Sequence, residues 1–288
     1  ADADVWQHPA MDDSIPSDVT ALDTDGDGHL DRLYVGDTGG RVWRADIGAP
    51  DAADWRAEPI ASLGRHAGNT GLAGDRRFFH PPDVVRVSAG AQSFYAVVIG
   101  SGNRADPLNR ATNNRLFVIK DGEALPDNPD SVTLSDLANF SGNCSGGACD
   151  SLLDPAFSPA GWQMALGSTG EKILSSPTTI AGKVLVTSYV PPAAGGNACT
   201  PQTGTGRLYA VDIRNAAPAL PAFDSDGDSA AAGGSLAMAR STPLRSAGIP
   251  AEVQYLRPET FLASDFGILD INHRLIWRTY WRERVGDQ

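Results

Sequence analysis

The stretch Asp23-Thr-Asp25-Gly-Asp27-Gly-His29-Leu-Asp31 sets carboxylates at positions 1, 3, 5 and 9, with glycine at 6 and the His29 backbone carbonyl at 7. Hard Ca2+ takes six or more oxygens, and a loop this short supplies them only by folding back on itself. Gly26 and Gly28 permit that tight turn. Position 12 is Tyr34 instead of a bidentate Glu, so Asp31 is expected to close the cage. Carboxylates this crowded repel one another unless a cation neutralises them. The spacing therefore predicts a Ca2+ site built from Asp23, Asp25, Asp27, the His29 carbonyl and Asp31.

Other reactive side chains offer less. Asp224-Ser-Asp226-Gly-Asp228 repeats the first half of the loop, but its position 9 is Ala232 and its cage cannot close in the same way. The histidines at 8, 29, 66, 80 and 273 show no ligand spacing, and no His-x-x-x-His, Gly-x-Ser-x-Gly or Walker pattern occurs. No catalytic constellation emerges, and the chain is not expected to be an enzyme. Gly100-Ser-Gly-Asn resembles a phosphate cradle, yet no helix pattern follows it, so a turn is expected. Arg76, Arg77 and Arg104 read as solvated loop cations or a small basic face. Trp277 and Trp281 alternate along a terminal strand and read as core.

Cys144 and Cys149 bracket Ser-Gly-Gly-Ala, which suits a short disulfide. Half a zinc site would need ligands that the chain does not offer nearby. Cys199 is left over. This usage favours an oxidising, extracytoplasmic compartment.

The net charge of -12 over 288 residues argues against nucleic acid or an anionic membrane as partner and favours divalent cations. An apolar content of 41% suffices for a packed core. No run of about 18 apolar residues exists, so no membrane insertion is expected. The start at Ala1 carries neither a basic segment nor an apolar signal core, as if a leader had been removed or the chain cut from something longer.

The segments flanking the Asp-rich loop, 18–22 and 32–36, are rich in β-branched and aromatic residues and predict strands. Asp37 to Gly40 predicts a hairpin turn, as does Ala181-Gly182. Residues 48–82 and 121–160 read as long irregular insertions, with some helix near 131–140. Arg41-Val-Trp, Arg115-Leu-Phe, Arg207-Leu-Tyr and Arg274-Leu-Ile each begin an apolar strand. Four antiparallel modules sharing such a strand predict an all-β chain, a partial β-propeller of about four irregular blades. A β-sandwich would leave the recurrent strand unexplained.

The run from Ala21 to Asp46, with its tail Leu33-Tyr-Val-Gly-Asp-Thr-Gly-Gly-Arg-Val-Trp-Arg44, resembles the C-terminal β-propeller of the PilC/PilY family of type IV pilus biogenesis and tip-adhesin proteins. Gly170-Glu-Lys-Ile-Leu, Val184-Leu-Val-Thr-Ser-Tyr-Val-Pro191, Gly206-Arg-Leu-Tyr and Trp281-Arg-Glu add to it, so the likeness spans nearly the whole chain. The resemblance implies a calcium-binding propeller that takes part in pilus extension against retraction, surface adhesion and twitching motility. It implies minor pilins and a host or surface receptor as partners, and a place at the pilus tip or outer membrane after export through the periplasm. In that family further blades and a large N-terminal region precede the propeller, so residues 1–288 correspond to its C-terminal portion. Two other classes share features with the chain. A quinone-dependent dehydrogenase propeller would need a central funnel of Arg, Asp and Trp ligands, and a calcium-dependent carbohydrate-binding module would need exposed aromatics beside the metal.

Overall fold

The computed structural model describes residues 8–68, 71–89, 92–122, 131–142, 152, 159–193, 203–221, 238–256, 259–262 and 267–269. Cys144, Cys149, Cys199, the 224–228 repeat, His273, Arg274, Trp277 and Trp281 lie outside the described residues.

Among the described residues the regular structure is strand, accompanied only by three-residue 310 turns. The first sheet is a four-stranded meander of β1 (Thr20–Leu22), β2 (Arg32–Gly36), β3 (Arg41–Asp46) and β4 (Arg56–Ser62). The second holds β5 (Asp83–Ala89), β6 (Gln92–Gly100), β7 (Arg115–Asp121), β8 (Ala138–Asn139) and β9 (Gly161–Ala165), in the order β5-β6-β7-β9-β8. In the third, β10 (Lys172–Ile173) and β11 (Thr178–Ile180) both pair with β12 (Lys183–Val190), which pairs with β13 (Thr205–Asp212). After the small β14–β15 pair (Leu220–Pro221 and Met238–Ala239), β16 (Ser241–Ala247) completes that sheet. The fourth is β17 (Val253–Leu256), β18 (Glu259–Leu262) and β19 (Gly267–Leu269). Successive antiparallel sheets along an all-β chain are the blades that the sequence predicts, and none of them closes on itself.

The period of two along each strand explains how the sheets stack. On β6, Phe94, Ala96 and Val98 face one apolar cluster while Tyr95, Val97 and Ile99 face another. On β7, Leu116 and Val118 divide from Phe117 and Ile119 in the same way. The first cluster joins the second sheet to Val184, Val186, Tyr209 and Val211 of the third. The other joins it to Tyr34, Val42, Ile60 and Ala61 of the first sheet. Leu185, Leu208 and Ala210 turn the opposite way and meet Val253 of the fourth. A strand apolar on both faces therefore marks a sheet covered on both sides.

The recurrent Arg-led strand occupies an equivalent place in three sheets. Arg41, Arg115 and Arg207 lie on β3, β7 and β13, each the third strand in its sheet's order. Each of these strands also ends on an aspartate, Asp46, Asp121 or Asp212.

Two local expectations are corrected, and the expected turn at Gly100 gains a packing role. The stretch 48–82 is not wholly irregular, because it carries β4; Pro59 hides the pattern, and β4 is the last strand of its sheet, bridged on its outer side at Ala61 to Val132, so that proline is tolerated at 59. Near 131–140 there is no α-helix. Thr133 and Asp136 form a capping box over a single 310 turn, and Ala138–Asn139 then pairs in parallel with β9. Gly100 and Gly102 serve packing. A Cβ on Gly100 would come 2.4 Å from the Ile173 side chain, and one on Gly102 would come 2.3 Å from the Ile173 carbonyl oxygen. Ile173 N–H donates to the Ser101 carbonyl at 3.0 Å, so this turn staples the second sheet to the third. Gly102→Ala should cost about 1–3 kcal/mol of stability through overpacking against backbone. Urea denaturation is the check, and a loss below about 0.5 kcal/mol would show that the two sheets can part locally.

Candidate metal centre

The Asp-rich loop is the connection between β1 and β2, whose Leu22 and Arg32 stand opposite each other in register. Asp31 N–H donates to the Leu22 carbonyl at 2.9 Å and closes the loop at its base. Gly26 and Gly28 have φ of +82° and +91°, the left-handed region that glycine enters freely, and a Cβ at either would meet nothing within 4 Å. These two glycines are required by backbone angle alone.

Asp23, Asp25 and Asp27 each offer a carboxylate oxygen, and these oxygens lie within 4.8 Å of one another on the exposed loop. Backbone donors hold the carboxylates in place. Asp23 Oδ1 and Oδ2 accept from Gly26 N (2.6 Å) and Gly28 N (2.9 Å). Asp25 Oδ1 accepts from Asp27 N at 3.1 Å, and Asp27 Oδ1 from His29 N at 2.8 Å. Asp31 stands outside that convergence. Its Oδ2 accepts from Thr24 N at 2.6 Å and from Thr24 Oγ1 at 2.8 Å, and those bonds hold its carboxyl below the usual carboxylate range. Asp31 thus fixes the loop's base, while Asp23, Asp25 and Asp27 form its anionic head. Oxygen donors and no soft ligands suit Ca2+ or Mg2+ chemistry.

A second acidic group, Asp12, Asp13 and His66, is neutralised by protein cations. Arg41 pairs with Asp12 and lies 3.4 Å from Asp13, Arg65 pairs with Asp13, and His66 Nε2 is 2.5 Å from Asp13. It straps the segment before β1 to the β2–β3 hairpin. Asp37 serves that hairpin. Fully buried, it accepts from Gly39 N, Arg41 N, Arg41 Nε and Trp43 Nε1 at 2.8–3.0 Å, which leaves no reason for it to ligate metal. Arg76, Arg77 and Arg104 form no common face. Arg76 is buried against the Leu63 and Asn113 carbonyls, Arg77 pairs with Asp75, and Arg104 reaches the Leu174 carbonyl.

Sequence reading did not reveal the buried polar links between strands. Arg44, with no exposed surface, donates to both oxygens of Asp121 at 3.0 Å, and Tyr34 OH donates to the same carboxylate at 2.5 Å. Burial raises the pKa of Asp121 despite the Arg44 charge, and burial beside Asp121 likewise raises that of Tyr34. Lys172, buried, donates to the Pro107, Asn109 and Gly170 carbonyls at 2.6–2.8 Å, and burial pushes it down to about 8. Glu171 accepts from Ser188 Oγ at 2.6 Å and from Tyr209 OH at 3.0 Å. For the Asp121 link the one signal was the aspartate that ends each recurrent strand.

Asp212 gives a pH prediction. Burial alone would raise its carboxyl, but hydrogen bonds from Arg214 and Lys183 hold it far below the usual carboxylate range. A depressed folded-state pKa contributes stability that is fully present above the unfolded value, about 3.9, and is lost as pH falls through the folded one. Wild type should therefore lose stability below about pH 4 more steeply than Asp212→Asn. Parallel acid limbs in pH-dependent melting would refute this.

No protein-family model matches the chain, and no curated protein does. Among solved structures it matches the C-terminal domain of Pseudomonas aeruginosa PilY1 with a TM-score of 0.60 and 18% identity. The match covers 85% of this chain and 58% of that one, so the chain spans little more than half of that domain's length. At this identity the likeness is one of fold. The chain is an all-β protein of stacked antiparallel sheets whose architecture resembles that of the PilY1 C-terminal domain.

Proposed function

We propose that the chain is a calcium-binding propeller portion of a type IV pilus protein, acting by binding, without a catalytic step. The observation that carries the reading is the convergence of Asp23, Asp25 and Asp27 oxygens on the β1–β2 loop, within a fold like that of a pilus-associated protein's domain. Bound Ca2+ would offset the repulsion among the three carboxylates and fix how β1 meets β2, and its release would let them repel and the loop open. That difference governs engagement of pilus components, minor pilins among them, and hence extension against retraction, adhesion and twitching at the cell surface.

The test places Asp25→Asn/Asp27→Asn, which keeps side-chain shape, in the parent organism. Loss of bound Ca2+ together with altered surface pilus number and twitching is the expected result. Normal pili and normal twitching in a variant shown to lack Ca2+ would make the ion purely structural and overturn the regulatory reading.

A further inference from the structure

Among the described residues, the fourth sheet meets the third and second at a joint just before β17. Val253 packs into the apolar cluster of Leu185, Leu208 and Ala210. Thr187 Oγ1 donates to the Ala251 carbonyl at 3.0 Å. Between those two contacts stands Glu252, whose Oε1 accepts from Ser176 N at 3.1 Å and from Ser176 Oγ at 2.8 Å. The same oxygen lies 3.5 Å from Nδ1 of His80, in the His-Pro-Pro segment that leads into β5. One carboxylate thus gathers the second, third and fourth sheets.

His80 is the sensitive member of this joint. Its side chain is 15% exposed, and its Nε2 is buried with no hydrogen-bond partner. A neutral imidazole tolerates that position, because its single N–H can face Glu252 and leave Nε2 as a bare acceptor. A protonated ring carries a second N–H, and that donor would be buried here without an acceptor. Two charged groups act on the ring. Glu252 favours the cation but is 51% exposed, and Arg104, on the β6–β7 connection, opposes it. Arg104 is kept nearby by the Leu174 carbonyl at 3.4 Å. Burial outweighs Glu252 and lowers the His80 pKa.

We propose that His80 is an acid-sensitive latch: neutral, it holds Glu252 and the fourth sheet in place, and protonated in mildly acidic solution, it frees Val253–Leu256 to open. The ring takes a proton more readily once the joint is open. The closed joint therefore keeps its full stability above the unfolded value, about 6.5, and loses it as pH falls from there towards the folded value. This window lies above the acid limb expected from Asp212, and the latch needs no ion at the Asp-rich loop.

The test is hydrogen exchange of the whole chain, read by mass spectrometry at about pH 7.5 and about pH 5.5 and corrected for the intrinsic pH dependence of exchange. Protection of Val253–Leu256 should fall by up to roughly tenfold between the two, the limit for one proton taken up by an ordinary imidazole. Protection of Gln92–Gly100 should hold. In His80→Asn the side-chain amide can still donate to Glu252 but takes up no proton in this range, so the fall should vanish. The other histidines are common to both proteins, and the difference isolates His80. NMR titration of the wild-type ring gives a reading that needs no variant, with a midpoint expected below about 6.5. A midpoint at or above that value would overturn the latch. So would an equal fall in wild type and His80→Asn, or wild-type protection of Val253–Leu256 that changes less than about twofold.

Discussion

Asp121→Ala should lower the free energy of unfolding by about 3–5 kcal/mol, the largest single-residue effect expected in this chain. Asp121 is the shared acceptor of Arg44 and Tyr34. Both donors come from the first sheet and the carboxylate from the end of β7 in the second. Removing the carboxylate strands a guanidinium that has no exposed surface, although Asp46 still bonds two of its nitrogens at 2.8 and 2.9 Å. A buried cation left with one carboxylate in place of two costs more than the lost hydrogen bonds would alone. Asp121→Asn should be nearly as damaging, since it keeps the shape and removes the charge. Replacing the pair together, as Arg44→Met/Asp121→Leu, should recover much of the loss, because a buried ion pair exchanged for apolar side chains is often close to neutral. Denaturant melts of the four proteins decide it. A loss below about 1 kcal/mol for Asp121→Ala would mean that Asp46 alone satisfies Arg44.

The second large effect is the response to Ca2+. At about a hundredfold its dissociation constant, an ion that binds the folded loop and not the unfolded chain, as proposed above, should add about 2.7 kcal/mol to stability. Asp25→Asn/Asp27→Asn should abolish both the calorimetric signal and the shift in melting temperature. Asp31→Ala tests a different property. Asp31 accepts both Thr24 donors, so this variant should loosen the loop base, whether or not its other oxygen also reaches the ion. The dissociation constant for wild type should lie on the order of micromolar to sub-millimolar, as for an exposed loop without a bidentate closing Glu. Identical titrations for wild type and the double variant would remove the metal assignment.

What the sequence discloses follows from how local each feature is. The anionic head of the loop is legible because Asp23, Asp25 and Asp27 sit within five consecutive residues and Gly28 marks the required backbone angle. The hairpins at Asp37–Gly40 and Ala181–Gly182 are legible for the same reason; Ala181 and Gly182 adopt φ of +48° and +76°. The recurrent Arg-led strand discloses the modules because each copy carries both of its faces within a few residues. Arg44 and Asp121 are 77 residues apart, and no local rule joins them. The role of Asp31 was half legible: its position in the loop was clear, but the competing donors at Thr24 were not. The capping box at Thr133–Asp136 imitated a helix start, and β9 drew the following residues into a sheet instead.

The alternation along β6 and β7 has a consequence for how a disturbance spreads. Each apolar cluster couples one sheet to the next, so the chain behaves approximately as a row of nearest-neighbour units rather than as one indivisible core. Cooperativity in such a row decays with the number of interfaces crossed. The second and third sheets, each with a cluster on both faces, should be the last to exchange their amide hydrogens, and the first should open earlier. Ion occupancy at the β1–β2 loop would then be felt as a change in the opening frequency of the first sheet and would fade before reaching the fourth. A ligand at that loop can thus retune one end of the row while leaving the other unchanged.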